Sequence, residues 1–287
     1  MGYEIHALAS CEAFTVIVIT GASRGFGQAF ALAFAKQRAL LDDTHIQMHL
    51  WARDIDGLTQ TAALVGNECK NDAMITIEIT TTQVDMNNRI DYSGKIESFL
   101  ASTKEIDPIQ VIIVHNAGTL GEIGLVQDLS SIEMLQDHME LNVSSVMWFN
   151  KRFLDLFGTR DSTAQVSTGK NSHIIVNISS LNAIEPFATC NTYCVIKAAR
   201  DMHHRVIAIE QGNIVKTLNY APGPMDTNMQ LELRESKHTN EKLKNMFNQL
   251  KANNTYVDTL TSATLCIKHV YGTNFVSGSH VDYYDIA

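Results

Sequence analysis

No stretch of this sequence approaches the ~20 continuous apolar residues that a membrane-spanning helix needs. Met1 to Ala13 is short, carries Glu4 and Glu12, and lacks the basic and apolar segments of a secretory signal. Basic residues are also scarce: 22 Lys and Arg against 31 Asp and Glu leave a net charge of −9. Long-range electrostatics therefore repel nucleic acid and anionic membranes. Cysteine is sparse as well, and Cys11, Cys69, Cys190, Cys194 and Cys266 are odd in number with no C-x-x-C pair. Neither a disulfide framework nor a zinc ligand set is expected from them. The 11 histidines, including His203-His204, carry no metal-ligand spacing either. What remains is the expectation of a cytoplasmic globular protein with free thiols, no metal, no membrane or nucleic-acid partner, and a small molecule as its ligand.

With 45% hydrophobic and 18% charged residues over 287 positions, the chain has enough apolar material for one large core. Phe14 to Thr20 is a β-branched run ending in a glycine cluster, and Gln28 to Arg38 reads as a helix rich in Ala, Leu and Phe. Strands follow at Ile46 to Ala52, Ala73 to Val84, Ile109 to Val114, His173 to Ile178, Val215 to Tyr220 and Asn274 to Asp282. Helices are expected at Asp54 to Cys69, Arg89 to Thr103, Ser130 to Phe157 and Thr192 to Gln211. Strict alternation of this kind predicts a single-domain α/β fold: a Rossmann-type, doubly wound parallel sheet with helices on both faces. Residues 1–13 form a short extension and residues 14–287 the domain. Gly158 to Asn171, rich in Ser and Thr, reads as an exposed loop, and Asp226 to Asn254 as a polar helical lid beyond a strand's carboxyl end.

Gly21, Gly25 and Gly27 stand in a G-x-x-x-G-x-G spacing between the first strand and the first helix. Glycine lets the backbone turn sharply and approach a pyrophosphate, whose charge the exposed N–H groups of the helix start stabilise. At the end of the second strand, where NAD-preferring proteins usually carry an acid, the chain reads Ala52-Arg53-Asp54. Ala52 has no carboxylate to repel a 2′-phosphate, while Arg53 and Arg24 can clamp one; this favours NADPH, although Asp54 follows one residue later. Asn116-Ala117-Gly118 after the fourth strand supplies small residues for a close backbone approach.

Tyr193 and Lys197 are four residues apart at the start of a long helix and share one face. An ammonium beside a phenol favours the phenolate, which would bring the Tyr193 pKa down from ~10 toward neutrality. Tyr193 could then give a proton to a carbonyl oxygen as hydride reaches its carbon. Ser179-Ser180 ends the preceding strand with hydroxyls able to polarise that carbonyl, and Asn142 places a poor helix former inside a helix.

In order and approximate spacing, the glycine loop, Asn116-Ala117-Gly118, Asn142, Ser180, Tyr193 and Lys197 resemble the short-chain dehydrogenase/reductase family over nearly the whole chain after Ala13. The resemblance implies that Tyr193 is the general acid and that Lys197 also binds the nicotinamide ribose. It further implies that Ser180, chosen over Ser179 by its spacing, orients the carbonyl, and that Asn142 helps hold a proton-relay water. Contacts to NADPH are implied for Gly21, Ser23, Arg24, Gly25, Phe26 and Gly27, for Ala52, Arg53 and Asp85, for Asn116, Ala117 and Gly118, and for Pro222 and Gly223.

Three stretches resemble the sepiapterin reductase branch of that family: Thr20 to Gly27, Leu218 to Thr227, and Ser277 to Asp285. In the last, the aspartate that many relatives follow with two glycines is followed by Tyr283 and Tyr284. The resemblance implies a substrate site of Ser180, Tyr193, Gly223, Met229 and Asp282, with Asp282 accepting from the amino-pyrimidine edge of a pterin. It implies NADPH-dependent reduction of 6-pyruvoyl-tetrahydropterin toward tetrahydrobiopterin, with sepiapterin also accepted, and a homodimer built on the two long helices. Cys190, in place of an aromatic wall, and His115, in place of the usual Asn, depart from the pattern. The alternatives are a reductase of other diketones or aldehydes, and a non-catalytic protein that senses NADPH.

Overall fold

The structure, a computed structural model, describes residues 14–41, 45–70, 75–272 and 275–287; the segment before Phe14, and with it Cys11, lies outside them. The strands are Phe14–Thr20 (β1), His45–Ala52 (β2), Thr76–Gln83 (β3), Gln110–His115 (β4), His173–Ile178 (β5), Val215–Ala221 (β6) and His280–Asp282 (β7). Gly25–Lys36 (α1), Ile55–Cys69 (α2), Arg89–Ile106 (α3), Ile132–Met139 (α4) and Ser145–Phe157 (α5) run between the first five strands. Asn191–Gln211 (α6), Asn228–Glu235 (α7), Glu241–Ala252 (α8), Thr259–Gly272 (α9) and Tyr283–Ile286 (α10) complete the chain.

All strands pair in parallel, in the order β3-β2-β1-β4-β5-β6-β7. Every residue of β4 and all but the first of β1 are buried, the pattern of strands covered on both faces. Alternate residues serve the two layers. Ile17, Ile19, Ile112 and Val114 pack with Phe30 and Phe34 of α1 and Ile267 of α9. Val16, Val18, Val111 and Ile113 pack with Phe99 of α3, Phe149 of α5 and Ile207 of α6. The strand order reverses between β1 and β4, so the carboxyl ends of these two strands open the crevice where such sheets bind ligands.

Four elements differ from the sequence-based expectation. The stretch expected as one helix from Ser130 to Phe157 contains a π-helical turn, Glu140–Ser144, between α4 and α5. Helix α9 had no counterpart, although its buried Ala263, Cys266, Ile267 and Val270 follow helical spacing. The final strand is only three residues long, because Gly278, at φ 83°, turns the chain where a Cβ would lie 2.9 Å from Ala208 Cβ; Asn274 lies outside the described residues. The third strand begins at Thr76, and Ala73 also lies outside them. The 158–171 segment is an irregular, mostly exposed loop that Gln211 holds at one end: its Oε1 accepts from Thr159 N at 2.7 Å.

Near the carboxyl ends, His115, Asn177, Asn219 and His280 stand in register across β4, β5, β6 and β7. This polar row lies directly behind the crevice. On the outside, Met147 and Trp148 of α5 and Val195, Met202, Val206 and Ile209 of α6 expose apolar surface. Among the described residues no helix is long and apolar enough to cross a membrane.

Candidate active site

A cavity of about 1340 Å³ runs along the carboxyl ends of the sheet from the β1 and β2 ends to β7 and the α7 and α8 helices. Ligand pockets commonly measure ~300–1,000 Å³, so this one has room for two ligands side by side. Apart from Gly27 and Asn142, every residue assigned from the sequence to catalysis, cofactor or substrate lines it.

The first wall is the glycine turn. Gly21 and Gly25 have φ of 68° and 57°, a region that side chains with a Cβ avoid. A Cβ on Gly27 would sit 2.2 Å from the Gly21 carbonyl oxygen, so the helix start can approach the turn this closely only without a side chain. Arg24 stands at the N-cap of α1 in extended conformation without a capping bond from its side chain, and no acid occupies the first turn. The first N–H groups of α1 thus lack both a side-chain cap and a neutralising carboxylate, and they meet the cavity at Gly25 and Phe26. A phosphate fits this cradle.

Thr20, which the sequence reading passed over, ties the glycine turn to the next wall. Its Oγ1 accepts from Asn116 N and Ala117 N, both at 3.1 Å, and Asn116 Nδ2 donates to the carbonyls of Thr20 and Gly21. The signal was available, since a Thr at the end of a buried strand needs partners for its hydroxyl. Beside this turn, Ala52 is half-buried while Arg24 and Arg53 are exposed at the cavity edge, with no ion-pair partner among the described residues. Asp54 is engaged: its Oδ1 accepts from Gly57 N at 3.0 Å and caps α2. Asp85 lines the same end, where its Oδ1 accepts from Asn87 N.

The reactive face belongs to α6. Tyr193 is half-buried at the cavity wall, its ring centroid 5.3 Å from Lys197 Nζ. The Ser180 hydroxyl lies near enough to the phenol to oppose the rise in its pKa; it donates to Asn182 Oδ1 at 3.1 Å and accepts from Asn182 N to start the short turn Leu181–Ala183. Burial pushes the Tyr193 phenol up to about 12, against the opposing pull of Arg200 and of the Ser180 hydrogen bond. The four-residue spacing suggested that Lys197 would draw it down toward neutrality. It does not, because Lys197 is itself buried, donates from Nζ to the Ile178 carbonyl at 2.6 Å, and is pulled well below its ordinary pKa by that burial and by Arg200. Burial therefore leaves Tyr193 protonated at neutral pH.

Arg200, also unforeseen, lies 1% exposed one turn further along α6. Its guanidinium donates to Asn177 Oδ1 at 2.7 Å, the Ala117 carbonyl at 3.1 Å and the His115 carbonyl at 2.5 Å. Burial lowers it to about 10, which still leaves it charged at neutral pH. His115 faces away from the cavity into a buried chain. Its Nε2 donates to Asn150 Oδ1, Asn150 Nδ2 to His204 Nε2, and His204 Nδ1 to the Arg200 carbonyl. Burial and Arg200 hold the His115 imidazole down at about 3, so it stays neutral.

Asn142 sits fully buried inside the π-helical turn, where its Oδ1 accepts from Thr119 N at 3.0 Å and its Nδ2 donates to the His138 carbonyl at 2.8 Å. A Cβ on Gly118 would lie 3.1 Å from that Oδ1. The Asn142 side chain thus stands behind the Gly118-Thr119 wall and holds it in place.

The far end combines an apolar cluster with the carboxylates of Asp226, Asp282 and Asp285. Cys190, Leu233, Leu243 and Phe247 cluster there, with Phe187, Met229 and Leu250 against them. Burial pushes the Cys190 thiol up to about 11, which makes it packing rather than a nucleophile. Pro222 and Gly223 lie between the two ends, Gly223 at φ 77° with room for no Cβ against Val257. Asp282 closes this end, and its Oδ1 accepts from Tyr284 N at 3.0 Å as the N-cap of α10.

Residues 15–238 match the family model for short chain dehydrogenases. The sepiapterin reductase of Rattus norvegicus is 32% identical over 276 residues, 94% of this chain and 97% of that protein, and that of Xenopus laevis 30% identical over 93% and 95%. The benzil reductase of Bacillus subtilis is 28% identical over 76% and 78%. Among solved structures, an NAD+-bound xylitol dehydrogenase superposes with TM-score 0.71 at 16% identity, over 94% of this chain and 96% of that one. An actinorhodin polyketide ketoreductase with NADPH gives 0.69 at 18%, over 93% and 95%. The chain belongs to the short-chain dehydrogenase family, as a carbonyl oxidoreductase of its sepiapterin reductase branch.

Proposed function

We propose that the protein uses NADPH to reduce the side-chain carbonyls of a pterin, sepiapterin and 6-pyruvoyl-tetrahydropterin among them. The observation that carries the reading is Asp282, a carboxylate that, with Asp285 beside it, lines the cavity holding Tyr193, Ser180 and the apolar cluster of Cys190, Leu233, Leu243 and Phe247. Its side chain serves the α10 capping box, with Oδ1 accepting from Tyr284 N, and it also lines the cavity. An amino-pyrimidine edge offers N–H donors to such an acceptor. Helices α7 and α8 cover this end and act as the lid. The apolar wall also suits diketones without a pterin ring, the substrate class named by the Bacillus relative.

The reduced nicotinamide, when bound, supplies hydride to the carbonyl carbon. The glycine turn and the start of α1 hold its pyrophosphate, Arg24 and Arg53 its 2′-phosphate, and Lys197 its ribose hydroxyls. Ser180 donates a hydrogen bond to the carbonyl oxygen and draws charge toward it. Tyr193 gives its phenolic proton to that oxygen, so that the carbonyl gains one hydride and one proton and becomes an alcohol. Reduction needs the tyrosine loaded with its proton, and the buried phenol is in that state throughout the neutral range.

Arg53→Ala is expected to weaken NADPH by roughly tenfold and NADH by less than about twofold, since only the former carries a phosphate for the guanidinium. Equal losses in a fluorescence titration would give Arg53 another role. Tyr193→Phe should lower turnover by ~10²-fold or more while leaving NADPH affinity within about threefold. Because its pKa is raised, Tyr193 ionises only at high pH; the absorbance difference between wild type and this variant should show no tyrosinate below about pH 10. A step near pH 8 would reverse the assignment.

Asn is also a good helix cap, so Asp282→Asn keeps the start of α10 while removing the charge. Its kcat/KM for sepiapterin should fall by roughly ten- to a hundredfold, with a small diketone reduced almost as before. Parallel losses would make Asp282 a support for the fold. The exposed apolar faces of α5 and α6 are the surface on which we expect two copies to pair. Sedimentation at micromolar concentration should give about twice the 31.8 kDa of one chain; a monomer alone would contradict that.

A further inference from the structure

We propose that Asp201 is a positioning residue that fixes the Asp282 end of β7 relative to the Ser180 end of β5, and so sets how a pterin lies against Tyr193. The proposal rests on the pterin reading, in which Asp282 is the distant anchor. Asp201 lies on α6 beside Arg200 and is 6% exposed. Its Oδ1 accepts from Ser179 Oγ at 2.6 Å and Asn177 Nδ2 at 3.0 Å, both at the end of β5. Its Oδ2 accepts from His280 Nδ1 at 2.5 Å, on β7. Ser179 precedes Ser180, and His280 stands two residues before Asp282 on the same face of its strand. One buried carboxylate thus spans from the residue beside the carbonyl-polarising serine to the strand of the substrate anchor.

The span matters because it ties β7, which the backbone pairs with β6, to the end of β5. The strand has three residues, pairs only with β6 through Asn219, Tyr220 and Ala221, and ends in the short α10 that Asp282 caps. The other imidazole nitrogen, His280 Nε2, is buried with no hydrogen-bond partner among the described residues, of which Asp201 alone orients the ring through hydrogen bonding. A substrate held at both ends tolerates little error in the distance between its holders, since a small misplacement of the reacting group costs rate steeply.

The test compares variants with sepiapterin and with 2,3-butanedione, a diketone too small to span from Tyr193 to Asp282. His280→Phe keeps the ring and removes the bond. Combining it with Asp201→Asn removes the unpaired charge that the single change leaves buried. Both are expected to raise KM for sepiapterin by roughly tenfold, with kcat for butanedione and the NADPH dissociation constant within about twofold of wild type. In an Asp282→Asn background, His280→Phe should add no further loss for sepiapterin, because both changes act through the same anchor. Equal losses on the two substrates, or additive losses in the double variant, would show that Asp201 and His280 only support the fold and would overturn the proposal. A selective Asp282→Asn beside an unchanged His280→Phe would overturn it while sparing the pterin reading. A non-selective Asp282→Asn would remove the pterin anchor, and this proposal with it.

Discussion

Two basic side chains, Lys197 and Arg200, are buried on one face of α6 against the ends of β4 and β5, and the geometry of the site depends on how they are satisfied. A buried charge costs several kcal/mol unless it is bonded, and here main-chain carbonyls do most of the bonding: Ile178 for Lys197, and Ala117 and His115 for Arg200. Because these acceptors are backbone, the helix cannot slide along the sheet without breaking them. Tyr193, on the same face, therefore keeps its place beside Ser180, and the Gly118-Thr119 wall is held from behind by Asn142.

The cavity is polarised from end to end. At one end the uncapped start of α1, Arg24 and Arg53 offer positive potential within a protein whose net charge is −9; at the other stands the carboxylate of Asp282. This arrangement suits an anionic cofactor on an acidic chain: local dipoles and two exposed guanidinium groups would act at short range, where the distant surface charge is screened. In the proposed function it would orient the pair of ligands, the phosphates toward β1 and β2 and the N–H-bearing group toward β7.

Much of this was legible in the sequence because it rests on local rules. Strand periodicity gave the sheet apart from its edges, and the glycine spacing located the turn whose tightness is seen at Gly27. What escaped depends on contacts distant along the chain. Nothing near Arg200 or Asp201 says that they turn inward, since charged residues in a long helix usually face solvent; their partners lie between 20 and 90 residues away in the chain. The direction of the Tyr193 shift escaped for the same reason: spacing reveals a neighbouring lysine but not the burial that outweighs it. Helix α9 was missed although its periodicity was readable, and Asp282 proved to be a helix cap as well as a cavity carboxylate.

The central claim is that hydride passes from NADPH to a carbonyl on a pterin side chain held between Tyr193 and Asp282. Its most direct test is to supply sepiapterin with NADPH deuterated at the transferable position of the nicotinamide and to follow the label by mass spectrometry. The account predicts one deuterium on the side-chain carbon that becomes the alcohol, incorporated at least ~10²-fold more slowly when Tyr193→Phe replaces the wild type. Oxidation of the labelled cofactor without deuterium in the pterin side chain would contradict it.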